Sequence, residues 1–174
     1  MAGKGQRSAE ASDLQSAGGL GARVLIIEAP YYKAISDELL AGAIAELSAQ
    51  GATYERVTVP GALEIPLALA QAVKAGVIGS DDANARFDGC VALGCVIRGE
   101  TTHYETVCNN ANHWLMEIAV RNAIPLGNAI LTVDTEAQAL ARARGGREGK
   151  GADAVRACLA VIALERILVD EDLE

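Results

Sequence analysis

His103 closes the run RGETTH (98–103) and is one of two histidines in a chain of 174 residues. The run joins an apolar stretch to one of helical spacing, so it reads as the loop between a strand and a helix. It carries Gly99, which lets backbone approach a ligand closely, and the hydroxyls of Thr101 and Thr102. A helix start also offers unpaired N–H groups, which attract anions such as phosphate. An imidazole titrates near neutrality and suits proton transfer at such a junction; the other reading is a structural hydrogen-bonding role. His113 falls a little over two turns later, on the side expected to face solvent or an interface. Tyr31 and Tyr32 follow the first apolar run and either stack on a flat ring or pack as ordinary side chains. Arg142, Arg144, Arg147 and Lys150 surround a glycine-rich loop, which reads as a solvated face or as a grip on an anionic substrate.

Several chemistries are disfavoured by what surrounds these residues. None of Lys4, Lys33, Lys74 and Lys150 lies in an apolar strand where desolvation would lower its pKa, so a lysine Schiff base is not indicated. Any carbonyl–amine chemistry would take its amine from a substrate. There is no GxxxxGK phosphate loop. Cys90, Cys95, Cys108 and Cys158 show neither CxxC spacing nor pairing with a nearby histidine, so they read as buried reduced thiols rather than metal ligands. Glu64 and Glu100 fall on separate loops, and no carboxylate pair is evident. The formal net charge of −8 gives no basic footprint for nucleic acid or for an anionic membrane surface. No apolar run approaches the roughly 20 residues that span a bilayer, and residues 1–19 lack the apolar core of a signal peptide. A cytoplasmic protein is expected.

The elements that must position these groups alternate along the chain. RVLIIEA (23–29), TYERVTV (53–59), FDGCVALGCVI (87–97) and NAILTV (128–133) read as strands. Helices are predicted over 35–50 and 63–75, and a third opens on a Thr102-x-x-Glu105 capping box with Val107, Ala111, Trp114, Leu115 and Ile118 on its buried stripe. A short helix capped by Thr135-x-x-Gln138 runs to about Ala143. After the loop RGGREGKG (144–151), a last helix over 153–169 carries Val155, Leu159, Ile162 and Ile167 on one side. Residues 76–86 read as a polar surface loop. Residues 1–20 read as a flexible arm, or as one that lies along a neighbouring subunit, and 21–174 as one domain.

Four strands alternating with helices predict a parallel sheet between two helical layers. Ligands of such sheets bind beyond the carboxyl ends of the strands, which selects the loops Pro30–Tyr32, Pro60–Glu64, Arg98–His103 and Val133–Thr135. With 51% apolar but only 3% aromatic residues, the core must be built from Ala, Val, Ile and Leu, and such domains often bury more surface by self-association.

Three of these stretches, VPGALEIPLA (59–68), GCVIRGETTHYETV (94–107) and GNAILTVDTEAQALARA (127–143), follow one another at successive strand ends. Together they resemble the lumazine synthase family of riboflavin biosynthesis, over residues 21 to 170. The resemblance implies a three-layer α/β/α sandwich, flavodoxin-like, with a four-stranded parallel sheet. It also implies condensation of 5-amino-6-(D-ribitylamino)uracil with 3,4-dihydroxy-2-butanone 4-phosphate, without metal or organic cofactor. By position, Tyr31 stands where the family stacks an aromatic ring, commonly Phe or Trp, on the pyrimidine. Ala62, Leu63 and Glu64, with Cys95, Val96 and Ile97, match segments that hold the pyrimidine and ribityl chain through backbone groups. Glu100 and Thr101 match the phosphate-side loop, with the Glu100 side chain expected outward. His103 matches the proton-transfer residue and Arg142 the cation that grips the butanone phosphate. Asn128 falls where several relatives carry a Phe that serves the adjacent subunit.

Family sites lie between subunits of a homopentamer, so Asn128 and Arg142 are expected to serve a neighbour's Tyr31 and His103. RARGGREGKG (142–151) departs from the GTKAG-like loop of sixty-subunit capsids, which favours a free pentamer or a decamer. Two rivals stand beside this reading. One is a paralogue that holds flavin or lumazine without turnover. The other, a generic FMN module, wants a Ser/Thr-rich phosphate loop where this chain has APYYKAIS (29–36).

Overall fold

The computed structural model describes residues 21–79 and 85–171; the arm read over 1–20, part of the 76–86 loop and the last three positions lie outside the described residues. Four strands form one sheet: β1 (Arg23–Glu28), β2 (Thr53–Thr58), β3 (Gly89–Ile97) and β4 (Leu126–Val133). They alternate with α1 (Lys33–Ala49), α2 (Glu64–Lys74), α3 (His103–Arg121), α4 (Glu136–Ala143) and α5 (Lys150–Glu171), with a short 3₁₀ turn, Gly146–Glu148, before the last helix. The strand order is β2-β1-β3-β4 and every pairing is parallel, with Ile26 opposite both Arg56 and Val91, and Cys95 opposite Leu131. This is the three-layer α/β/α sandwich that the alternation predicts.

Side-chain alternation along the strands sorts the core into two halves. Val24, Ile26, Val91, Leu93 and Leu131 pack with Ile35, Leu39, Leu47, Val155 and Ile162, which places α1, α4 and α5 on one face. Leu25, Ile27, Cys90, Ala92 and Ile130 pack with Ile65, Leu69, Ala111 and Leu115, which places α2 and α3 on the other. Because β1 and β3 are central, they are buried on both faces, and their continuous apolar runs follow from that. β2 is an edge strand and is exposed along its whole length. Close approach on the α5 side depends on absent side chains. A Cβ on Gly127 would stand 1.9 Å from the Ala154 carbonyl oxygen, and one on Gly151 would stand 2.0 Å from that of Leu39.

The predicted buried stripe of α3 is rotated. Cys108, Ala111, Leu115 and Ala119 are the buried positions, while Trp114 is 50% exposed because it stands about 100° around the helix from Leu115. The last helix begins earlier than predicted, at Lys150, and Ile167 is exposed rather than buried. At about 1.5 Å per residue the helix outruns the strands beneath it. Its final turns, with Met116 and Val120 of α3, line an apolar groove of about 500 Å³ at the sheet's amino-terminal end.

The loop between α4 and α5 is held by a carboxylate inside the fold. Glu46 of α1 is fully buried and accepts hydrogen bonds from Arg147 Nε and Arg156 Nη1, each at 2.8 Å, and from Gln50 Nε2 at 2.9 Å. Burial alone would raise this carboxyl, but the bonds from Arg147 and Gln50 and the charges of Arg156 and Arg147 outweigh it and hold the group below the usual carboxylate range.

Candidate active site

A cleft of about 330 Å³ opens at the carboxyl ends of β1, β2 and β3. Three loops and one helix start converge there because parallel strands deliver all their following loops to the same edge. The β1–α1 turn is tied back by Ala29 N donating to Leu93 O and Tyr31 N donating to Ala29 O, both at 2.9 Å. It presents Tyr31, 73% exposed, whose ring meets Tyr32 edge-on at 5.0 Å between centroids. Burial, then the neighbouring Cys95, pushes the Tyr32 phenol up, so it stays protonated. The turn after β2 brings Ala62, Leu63 and Glu64, half-buried, to the opposite wall, with Glu64 N donating to Gly61 O at 3.1 Å.

The floor is the end of β3: Cys95, Val96 and Ile97. Burial, then Cys108, pushes the Cys95 thiol up to about 11, which leaves it protonated near neutrality and unsuited to act as a nucleophile. Beyond it, Gly99, Thr101 and His103 complete the rim. His103 is the first residue of α3 and is exposed, and its backbone N–H points to Thr101 Oγ1 at 3.4 Å.

The predicted Thr102–Glu105 capping box is absent. Thr102 is already helical (φ −67°, ψ 0°) and its side chain caps nothing. Glu105 instead accepts from Arg98 Nη1, and Arg98 Nε donates to Asp134 Oδ1 at 2.8 Å. The Arg98 guanidinium stands 4.2 Å from the centre of the Tyr104 ring. Arg98 lowers the Glu105 carboxyl below its ordinary value. The Thr135 cap does form, with Oγ1 accepting from Gln138 N at 3.2 Å, although Gln138 Oε1 accepts from Asp134 N rather than from Thr135. Arg98 and Tyr104 are the residues that spacing alone does not reveal, since their partners come from three elements.

Three residues named by the sequence lie off this cleft. Glu100 is exposed and does not line it. Asn128 pairs in register with Ala92, well before the carboxyl end of β4. Its Nδ2 donates to Asn112 Oδ1 at 2.7 Å and its Oδ1 accepts from Ile130 N at 2.9 Å. Arg142, in the last turn of α4, is exposed and donates to Gln138 O at 3.0 Å, with no ion pair among the described residues.

The other cations of that cluster are exposed and paired within the chain, which agrees with the solvated face of its two readings. Arg144 faces Glu38 at 3.9 Å, Arg147 holds Glu46, and Lys150 holds Asp153 at 2.6 Å. His113 is exposed beside Glu117 at 3.1 Å. Among the described residues no group of three or more His, Cys, Asp or Glu is placed to hold a metal ion.

The family profile described as 6,7-dimethyl-8-ribityllumazine synthase matches residues 21–166. A protein of that name from Azorhizobium caulinodans is 53% identical over 146 residues, 84% of this chain and 88% of its own length. Those from Nitrobacter hamburgensis and Methylobacterium radiotolerans are 51% and 53% identical, covering 85% and 84% of this chain and 88% and 84% of their own. The matched span contains every element that builds the cleft. On that extent of similarity, the chain belongs to the 6,7-dimethyl-8-ribityllumazine synthase family.

Proposed function

We propose that this chain condenses 5-amino-6-(D-ribitylamino)uracil with 3,4-dihydroxy-2-butanone 4-phosphate to give 6,7-dimethyl-8-ribityllumazine, releasing phosphate and water. This is the penultimate step of riboflavin biosynthesis. The observation that carries the reading is the convergence of Tyr31, Ala62–Glu64, Cys95–Ile97, Thr101 and His103 on one cleft at the sheet's carboxyl edge, in a chain about half identical to proteins of that name.

Both reactants bring their own functional groups, an amine and a ketone, so the protein needs to bind, orient and move protons. Backbone groups of the Ala62–Glu64 turn and of the Cys95–Ile97 strand end hold the pyrimidine and ribityl chain, and the Tyr31 ring covers the pyrimidine face. The phosphate lies against Thr101 and the backbone of the loop at Glu100, near the start of α3, where free N–H groups favour an anion. His103 on the rim carries protons between the amine, the carbonyl and the water that leaves. Neither metal nor organic cofactor takes part in this scheme.

Asn128 and Arg142 act on a neighbouring subunit's cleft. Asn128 lies five residues before Val133, roughly 17 Å along the strand from its carboxyl end, and neither residue lines the cleft of its own chain. The resemblance to the family implies a homopentamer or a higher assembly of pentamers, acting in the cytoplasm on small molecules, without nucleic acid or membrane partners. No helix among the described residues is long and apolar enough to cross a membrane.

The test mixes the purified full-length chain with both substrates and follows lumazine absorbance and fluorescence. A rate no higher than the spontaneous background overturns the reading, and sedimentation of the same sample as a monomer overturns the shared site.

A further inference from the structure

Arg98 is the first residue after β3, and its backbone N–H extends the ladder by donating to Val133 O at 2.9 Å. From there its planar guanidinium reaches two carboxylates on separate elements, Glu105 in the first turn of α3 and Asp134 after β4, and lies over the Tyr104 ring. Asp134 is itself fixed, since its N–H donates to Gln138 Oε1 at 2.9 Å at the start of α4. Glu105 and Tyr104 are the two residues that follow His103. The start of α3 has no side-chain cap, and Thr101 reaches His103 N only at 3.4 Å. The Arg98 fork is therefore the strongest side-chain restraint on the turn that carries the imidazole. Arg98 does not line the cleft, so it acts through other groups.

We propose that Arg98 is a positioning residue: by gripping Glu105 and Asp134 at once it fixes the first turn of α3, and with it His103, at the rim of the cleft. The inference rests on the proton-transfer role given to His103 above. An exposed ion pair contributes little to global stability, but a planar fork that also stacks sets geometry in a way lysine cannot. Turnover is sensitive to displacements of about 1 Å at the reacting centre.

The experiment is a kinetic cycle on the purified full-length enzyme with both substrates, the spontaneous rate subtracted. Arg98→Gln is expected to lower kcat about tenfold to hundredfold, with KM for the pyrimidine substrate changed by no more than about threefold. In a His103→Ala background the same change should cost less than about twofold more, because the residue it positions is gone. Where His103→Ala leaves no rate above the spontaneous one, the split between kcat and KM in Arg98→Gln decides alone. Asp134→Asn, which keeps the Glu105 contact, runs the same cycle with a smaller loss and replaces Arg98→Gln should that variant fail to fold. Multiplicative losses in the double variant, or a raised KM with kcat unchanged, overturn the inference while leaving the proposed reaction standing. An unchanged kcat in His103→Ala overturns the role of His103 and this inference together.

Discussion

Two arginine networks flank α4 in the chain, one an arginine shared by two carboxylates and the other a carboxylate shared by two arginines, and they differ in how far the carboxylates are buried. At the rim, Arg98 binds Glu105 and Asp134, whose side chains are 47% and 63% exposed. On the far side, Arg147 and Arg156 bind Glu46, which has no exposure at all. In the first network every ion keeps part of its hydration, so breaking it costs little folding free energy and its effect is on geometry. In the second, a carboxylate has been taken out of water and depends on its partners to remain charged. Similar pairings thus join the turn that carries His103 to the end of β4 in one region and tie a buried carboxylate into the scaffold in the other.

The largest expected effect comes from stripping the buried carboxylate. Replacing Arg147 and Arg156 together by alanine should destabilise the protein by about 3–5 kcal/mol in urea unfolding, because Glu46 is left desolvated with only Gln50. The pH dependence carries the sign. In the native protein the Glu46 carboxyl lies below its ordinary value, so its stabilisation is present above the unfolded pKa near about 4.3 and lost as pH falls through the folded one. Without the arginines burial, the largest influence, is opposed only by the Gln50 hydrogen bond and raises the group. The double variant should therefore lose stability as pH rises above about 4, where the native protein has gained it. A double variant with the native pH profile would show that Glu46 does not depend on these partners for its charge.

Next in size is Arg142→Ala. Among the basic residues around the α4–α5 loop, Arg142 makes no ion pair among the described residues. Its loss should raise KM for the butanone phosphate about tenfold to hundredfold, in line with a charge-assisted phosphate contact, while KM for the pyrimidine and the unfolding midpoint stay close to native. Equal defects for both substrates would place Arg142 outside phosphate binding. Arg144→Ala, which removes only a contact to Glu38 at 3.9 Å, serves as the neighbouring control.

The difference between the networks also explains which parts were legible in the sequence. The strands, the parallel sheet and the edge on which the cleft lies follow from apolar runs and the loops after them, and GCVIRGETTHYETV carries the rim of the cleft as one continuous segment. The Arg98 fork joins residues 98, 105 and 134, and Glu105 has the spacing of a helix cap, so the local pattern pointed to the wrong partner. Glu46 does carry a local signal: with Leu39, Ala43 and Leu47 on the buried stripe of α1, position 46 falls on the same face. A charged residue there requires a partner, but the partner Arg147 lies about a hundred residues away, in a loop that reads as a solvated face or as an anion grip. Trp114 lies outside the buried stripe, which runs through Cys108, Ala111, Leu115 and Ala119.

The smallest expected effect separates the two networks without changing a residue. Added salt shortens the Debye length from about 10 Å at 0.1 M to about 3 Å at 1 M, and it weakens exposed pairs more than buried ones. At saturating substrate, kcat should fall about twofold to threefold between 0.1 and 1 M KCl as the Arg98 fork loosens. Glu46 is shielded from the added ions, so the urea-midpoint gap between the native protein and the Arg147→Ala, Arg156→Ala variant should stay constant over the same range. Saturation matters here because phosphate binding is itself sensitive to salt, and a rise in KM would otherwise pass for a loss of turnover. The decisive comparison is Arg98→Gln, whose fork is already gone and whose kcat should be flat with salt. A salt dependence equal to that of the native enzyme would locate the screening elsewhere in the reaction, and the exposed network would then have no separate hold on the rate.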